Sequence, residues 1–235
     1  NKLDTPKALG YSTAGVVLAV DENVEGFKPG DRVACAGAGY AIHADIVAVP
    51  KNLVVKIPDE VSFADAAYST VGAIAMQGIR QTNPTLGEKI VVIGLGLLGQ
   101  MTVQMLKANG CYVIGIDLDD KSLENAVKIS GADLAISRTK QDVKSIVKEV
   151  TNGYGADAVV ITAATGSNDP VELAGDISRE KGREDPWFPP LAPPSSPPSC
   201  FPVRSSTHPP RIASLWRCAT TAGSRSALPP LPAAS

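Results

Sequence analysis

The sequence predicts an α/β protein in which a helix-wrapped parallel sheet follows a smaller β-rich unit, and three observations carry that prediction. From Gly87 to Arg183, strand-like and helix-like segments alternate, the pattern of parallel strands joined by crossover helices. Ahead of that region, short β-branched runs are separated by turn residues at intervals too brief for helices. Within it, Ile90-Val91-Val92-Ile93 runs directly into Gly94-Leu95-Gly96-Leu97-Leu98-Gly99 and then a segment of helical periodicity.

The β-rich unit is assigned to residues 1–61. Its runs are 16–20, followed by the polar Asp21-Glu22-Asn23; 32–35, introduced by Lys28-Pro29-Gly30-Asp31; 46–49, ending at Pro50; and 53–57, closed by Pro58-Asp59. Strands this short with turns this frequent suggest a small barrel. Residues 62–86 connect the two units. Ser62 and Asp65 form a capping pattern, so a helix is expected from Ser62 through Ile79, ending before Asn83-Pro84 because a proline disfavours helical backbone in the residue before it.

Residues 87–183 form the second unit. Strands are expected at 89–93, 112–116, 134–137 and 158–163. Helices are expected from the glycine turn to Ala108, at 121–129 and at 141–150, where Val143, Ile146, Val147 and Val150 recur at helical spacing. Beyond Glu184 the composition changes abruptly, with 13 of the 19 prolines and no lysine. Residues 184–235 are therefore expected to form a disordered or polyproline II tail. The spacings Pro190-x-x-Pro193 and Pro194-x-x-Pro197 leave open a ligand for an aromatic groove.

Composition narrows the function classes. With 44% hydrophobic residues over 235 positions the chain can bury a sizeable core, and a net charge of −2 offers no basic surface for nucleic acid or an anionic membrane. No run approaches the roughly 20 apolar residues of a spanning helix, and the start of the chain lacks the pattern of a signal peptide. The cytoplasm and small-molecule ligands are the resulting expectations. Cys35, Cys111, Cys200 and Cys218 have no CxxC spacing, so neither a zinc knuckle nor a redox dithiol is indicated. Cys35 and Cys111 are expected to be buried. The chain opens on Asn1 rather than Met, as a segment beginning mid-protein would.

The glycine turn carries the strongest chemical signal. In a strand-turn-helix context, Gly94 permits the tight turn, Gly96 lets backbone approach a pyrophosphate, and Gly99 lets helix and strand pack closely. The helix then presents unpaired amides and its positive dipole end to the phosphates. Leu95, Leu97 and Leu98 complete the cofactor-binding turn. Asp117, ending the second strand, can accept from the adenosine ribose hydroxyls and would repel a 2′-phosphate. No arginine or lysine follows until Lys121, so NAD is expected rather than NADP. Asp119 and Asp120 are read as helix caps.

Four segments occur together in order: Gly10-Tyr11-Ser12-Thr13-Ala14-Gly15-Val16-Val17, Phe27-Lys28-Pro29-Gly30-Asp31-Arg32-Val33, Pro58-Asp59 with Val61-Ser62-Phe63 and Ala66-Ala67, and Val92-Ile93-Gly94-Leu95-Gly96. With them the chain resembles, from Leu9 to about Arg183, the medium-chain dehydrogenase/reductase superfamily that includes the zinc alcohol dehydrogenases. The stretch 34–50 is most similar to bacterial two-domain oxidoreductases in which such a unit precedes a sugar-oxidoreductase-like domain. The resemblance implies an incomplete Rossmann-type sheet behind part of a GroES-like catalytic domain, truncated at both ends. It further implies hydride transfer between NAD(H) and a small alcohol or carbonyl compound, sugar-derived ones included, and a homo-oligomer for the intact protein. A truncated dinucleotide-binding fragment without turnover is the alternative.

In zinc-dependent members the first motif reads Gly-His-Glu and its histidine holds the catalytic zinc. Here the matching positions are Gly10, Tyr11 and Ser12, and the position of a cysteine ligand falls on Ser69. The structural-zinc lobe would follow Cys35, where only a short connection leads to Tyr40. A zinc-free branch is therefore expected. Tyr11 stands where the lost ligand would face the cleft and is the candidate catalytic residue, its phenol donating to the substrate oxygen; a packed tyrosine on the barrel surface is the other reading. His43 is open to the same pair of readings, cleft or hydrogen-bonded strand. Thr162 would lie near the nicotinamide, or serve strand packing. The family's fifth and sixth parallel strands, due after Arg183, find no valine-rich counterpart.

Overall fold

The computed structural model describes residues 9–186 and 200–205, arranged on two five-stranded sheets. The first contains β1 (Ser12–Val17), β2 (Arg32–Ala36), β3 (Ile46–Pro50), β4 (Val54–Lys56) and β10 (Cys200–Ser205), in the order β3-β10-β1-β2-β4. Alternation sorts its residues: Val17, Val33, Cys35, Val47 and Val49 share one buried cluster, while Ala14 and Ala34 meet Ile57 and Ala66 in another. Cys35 and Cys111 are both buried, and burial pushes the Cys35 thiol up to about 12. That thiol is a core residue without nucleophilic character at neutral pH.

Arg32 ties this sheet to the connecting segment. Its guanidinium donates to the carbonyls of Pro58 (3.1 Å), Asp59 (2.8 Å) and Val61 (2.5 Å) and lies 4.7 Å from the centroid of the Phe63 ring. Two nitrogens of a planar fork reach three carbonyls here while the guanidinium lies over the ring, a combination that a compact ammonium matches poorly. The connecting helix differs from expectation. Ser62 caps it, its Oγ accepting from the Asp65 amide at 3.1 Å, but the helix breaks into α1 (Phe63–Ala66) and α2 (Ser69–Thr82). The Ala67 carbonyl accepts instead from the Ser12 hydroxyl at 2.5 Å, and the turn at Tyr68 re-aims the chain.

The second sheet is built from β5 (Lys89–Ile93), β6 (Tyr112–Asp117), β7 (Leu134–Ser137), β8 (Ala156–Ile161) and β9 (Ser178–Pro186), all parallel, in the order β7-β6-β5-β8-β9. Between them run α3 (Leu97–Ala108), α4 (Asp120–Lys128), α5 (Val143–Val150) and α6 (Asp169–Ile177). Strict alternation along β5 sends Ile90 and Val92 to the α3/α4 face and Val91 and Ile93 to the α5/α6 face. Each of these side chains contributes about 1.5–3 kcal/mol by leaving water. Among the described residues no helix is long and apolar enough to cross a membrane.

The expected absence of a fifth strand is corrected. β9 pairs with β8, with a register shift between Ala156 and Ala158 that accommodates the irregular stretch 179–182. An edge strand bonds on one side only and tolerates Pro186 at its end. Side chains anchor it in place of apolar ones: Arg179 Nε lies 3.0 Å from Asp157, and Arg183 pairs with Glu88 and donates to the Asn83 carbonyl at 3.2 Å. The expectation of a structureless tail is corrected at 200–205 as well, where β10 lies antiparallel between β1 and β3. Two facing strand edges offer ladder partners on both sides, a demand that composition does not register. The PxxP spacings at 190–197 lie outside the described residues.

Two measurements check these contacts. Arg32→Ala is expected to lower stability by about 1–3 kcal/mol in urea denaturation, with Arg32→Lys recovering little of it. For Glu88, burial pushes the carboxyl up, but the Thr85 amide and the Arg183 guanidinium outweigh it and hold it below its ordinary range near 4.5. The folded value being the lower one, this stabilisation is present above about pH 4.5 and is lost as pH falls through the folded value. Glu88→Gln should flatten that acid limb in pH-dependent thermal melts.

Candidate functional site

The site lies at the carboxyl edge of the parallel sheet, where β5 passes into α3. Gly94 sits at φ +95°, and a Cβ there would come 2.6 Å from the backbone nitrogen of Ala163. A Cβ on Gly99 would overlap the carbonyl oxygen of Gly94, whereas one on Gly96 would meet nothing within 4 Å. Gly94 and Gly99 are thus required by packing, and Gly96 leaves open space for an incoming group. No side chain caps α3 at Gly96, so the amides of its first turn are available to an anion.

Two neighbouring strands hold the turn. The Leu95 amide donates to Asp117 Oδ2 at 2.5 Å, and Asp117 Oδ1 accepts from Leu118 (2.7 Å) and Asp119 (2.9 Å). Three of a carboxylate's roughly four acceptor positions are thus filled. Just past β8, the Thr162 amide donates to the Ile93 carbonyl at 2.8 Å and its hydroxyl to the Gly94 carbonyl at 2.5 Å. Leu95 itself is turned inward, with its side chain in the core and its carbonyl accepting from Gln100 Nε2 at 2.9 Å. Leu97 is exposed, Leu98 half-buried. As expected, Asp119 caps α4, accepting from the Ser122 amide at 2.9 Å; Asp120 occupies the first turn.

Sequence reasoning missed Gln100, which also donates to the Ser122 carbonyl and accepts from Ser130 at 2.5 Å, joining the turn to α4 and the segment behind it. Its only signal is a polar residue in the first turn of α3. Missed too were two cations in the turn after β7: Arg138, whose amide donates to the Asp117 carbonyl at 2.9 Å, and Lys140, paired with Asp120.

In the β-rich unit Tyr11 is 45% exposed, just ahead of β1. His43 is exposed and outside any strand, its amide donating to the Leu9 carbonyl at 2.8 Å and its ring so close over Gly10 that a Cβ there would collide with it. The expectation of a strand histidine is corrected: His43 lies in the bend ahead of β3, held by the Leu9 carbonyl and packed over Gly10 rather than paired in a strand. A zinc site does not fit the positions where the resemblance would put one. Tyr11 and Ser69 are poor ligands beside histidine and thiolate, the Ser12 hydroxyl is committed to Ala67, and no cluster of three ligating side chains occurs among the described residues.

A β-rich unit followed by a glycine-turn parallel sheet defines a two-part architecture, and comparison with known proteins identifies it. Residues 1–59 match the model of the alcohol dehydrogenase GroES-like domain and residues 98–183 that of the zinc-binding dehydrogenase. The chain is similar to an alcohol dehydrogenase of Geobacillus stearothermophilus, 31% identical over 188 residues, covering 68% of this chain and 55% of the relative. A sorbitol dehydrogenase of Halalkalibacterium halodurans is 28% identical over 208 residues, covering 76% and 60%. Among solved structures, the quinone oxidoreductase of Escherichia coli complexed with NADPH superimposes with a TM-score of 0.66 at 26% identity, over 77% of this chain and 56% of that one. The chain belongs to the medium-chain dehydrogenase/reductase superfamily. It spans little more than half the length of these relatives.

The three glycines separate in their expected effects. Gly99→Ala should collapse the turn and lower the thermal midpoint by several degrees, as an overlap of this kind costs about 1–3 kcal/mol. Gly96→Ala should leave the midpoint unchanged while weakening NADH binding in a fluorescence titration, because its methyl group occupies only the open face.

Proposed function

We propose that the chain is the cofactor-binding and partial catalytic portion of an NAD(H)-dependent oxidoreductase acting on a small alcohol or carbonyl compound without catalytic zinc. The observation that carries this reading is the turn itself: two glycines fixed by packing, a third opening onto free space, and Asp117 beside it with one acceptor position left. A bound nicotinamide dinucleotide would supply or accept the hydride. The residues of the chain do the rest. The first-turn amides of α3 hold the pyrophosphate, Asp117 takes a ribose hydroxyl and disfavours a 2′-phosphate, and Thr162 fixes the turn that separates the two halves of the cofactor.

Because the ligand positions do not suit zinc, a proton must move by another group as hydride moves. Tyr11 is assigned that role, its exposed phenol donating to the carbonyl oxygen in reduction. Sugar-derived alcohols are the favoured substrate class, a reading supported by the similarity to a sorbitol dehydrogenase. The intact protein is proposed to be a homo-oligomer.

NADH fluorescence titration followed by turnover on a panel of polyols and their ketoses tests the proposal. Saturable binding with turnover is expected, and Tyr11→Phe should lower kcat at least about tenfold with little change in NADH affinity. Binding without turnover would favour a non-catalytic dinucleotide-binding fragment; no binding would overturn both.

A further inference from the structure

We propose that Arg138 is a latent receptor for an adenosine 2′-phosphate, diverted by Asp169 and masked by Asp117. The inference rests on the dinucleotide reading above and concerns which cofactor that same site discriminates. Pairing of β6 with β7 places Asp117 opposite Ser137, and the Arg138 amide donates to the Asp117 carbonyl at 2.9 Å. A guanidinium far away in sequence thus shares the carboxyl edge with the carboxylate that faces the ribose. Its side chain reaches to the start of α6, where NH2 donates to Asp169 Oδ1 at 2.7 Å. That pair satisfies only part of the fork. Nε is buried with no hydrogen-bond partner among the described residues.

Two features make the arrangement a held reserve. The side chains of Arg138 and Asp169 are 35% and 54% exposed, so their attraction is solvent-screened and yields readily to a better partner. A phosphate is a better partner, with its higher charge and its fit to bidentate donation. The neighbouring cation Lys140 is occupied by Asp120, itself more than half exposed. Asp117 is then the dominant barrier to a 2′-phosphate: with its charge removed, the guanidinium has only to exchange Asp169 for the phosphate.

NADH and NADPH affinities, measured by fluorescence titration, test this in the full chain. Asp117→Asn removes the charge and keeps an acceptor for the Leu95 amide, at the cost of the acceptor for Leu118 and Asp119, and should tighten NADPH binding at least about tenfold, the scale of one charged hydrogen bond. Adding Arg138→Gln should erase that gain while NADH affinity falls far less. Asp169→Asn, which leaves the turn untouched, should strengthen NADPH binding several-fold, again only while Arg138 is present. Should Asp117→Asn fail to fold by circular dichroism, the Asp169 pair of variants decides. An NADPH gain that survives Arg138→Gln, or no change in Asp169→Asn, would overturn the inference and leave the dinucleotide reading intact. Wild-type chain that binds no NADH would overturn both.

Discussion

The hydrogen bond from the Leu95 amide to Asp117 is the contact on which the rest of the site depends. It links the glycine turn leaving β5 to the end of β6, and the Thr162 hydroxyl secures the same turn from just past β8. With both neighbours attached, the turn cannot open without disturbing the centre of the sheet. Its position is therefore set by the most deeply buried strands of the molecule, where Val91, Val92, Ile114 and Val159 are all shielded from water. Preorganisation of this kind lowers the ordering cost of binding.

The same bond gives Asp117 two tasks. A carboxylate that braces a turn through one oxygen and caps the following loop through the other is held rigidly, so its charge is presented at a fixed position on the carboxyl edge. Electrostatics at this edge is consequently a balance across several elements. Asp117, Asp119 and Asp120 come from one strand end and the helix after it, while Arg138 and Lys140 come from the turn that follows β7, with Asp169 at the start of α6.

Much of the parallel unit was legible in the sequence because its signals are local. The bounds of β5 and β7 follow from apolar runs between turn residues, and the cap at Asp119 from a short polar side chain before a helix. What escaped depends on tertiary partners. The split of α1 from α2 arises from Ser12, distant in sequence, bonding to the Ala67 carbonyl. β9 is anchored by Arg179 and Arg183 rather than by apolar residues, and β10 completes a gap between two strand edges, so neither carries the periodicity of a buried strand. Arg138 escaped for the same reason: spacing along the chain after Asp117 is blind to a residue delivered by strand pairing. The exposed His43 and its contact with Gly10 likewise required the folded backbone.

Hydrogen–deuterium exchange of the chain with and without saturating NADH addresses the central claim most directly. Protection concentrated in the first turn of α3 and in the amides of Leu118 and Asp119 is the result expected of a dinucleotide held at the Gly96 opening beside Asp117. Protection confined to other parts of the chain, or none at these amides, would contradict it.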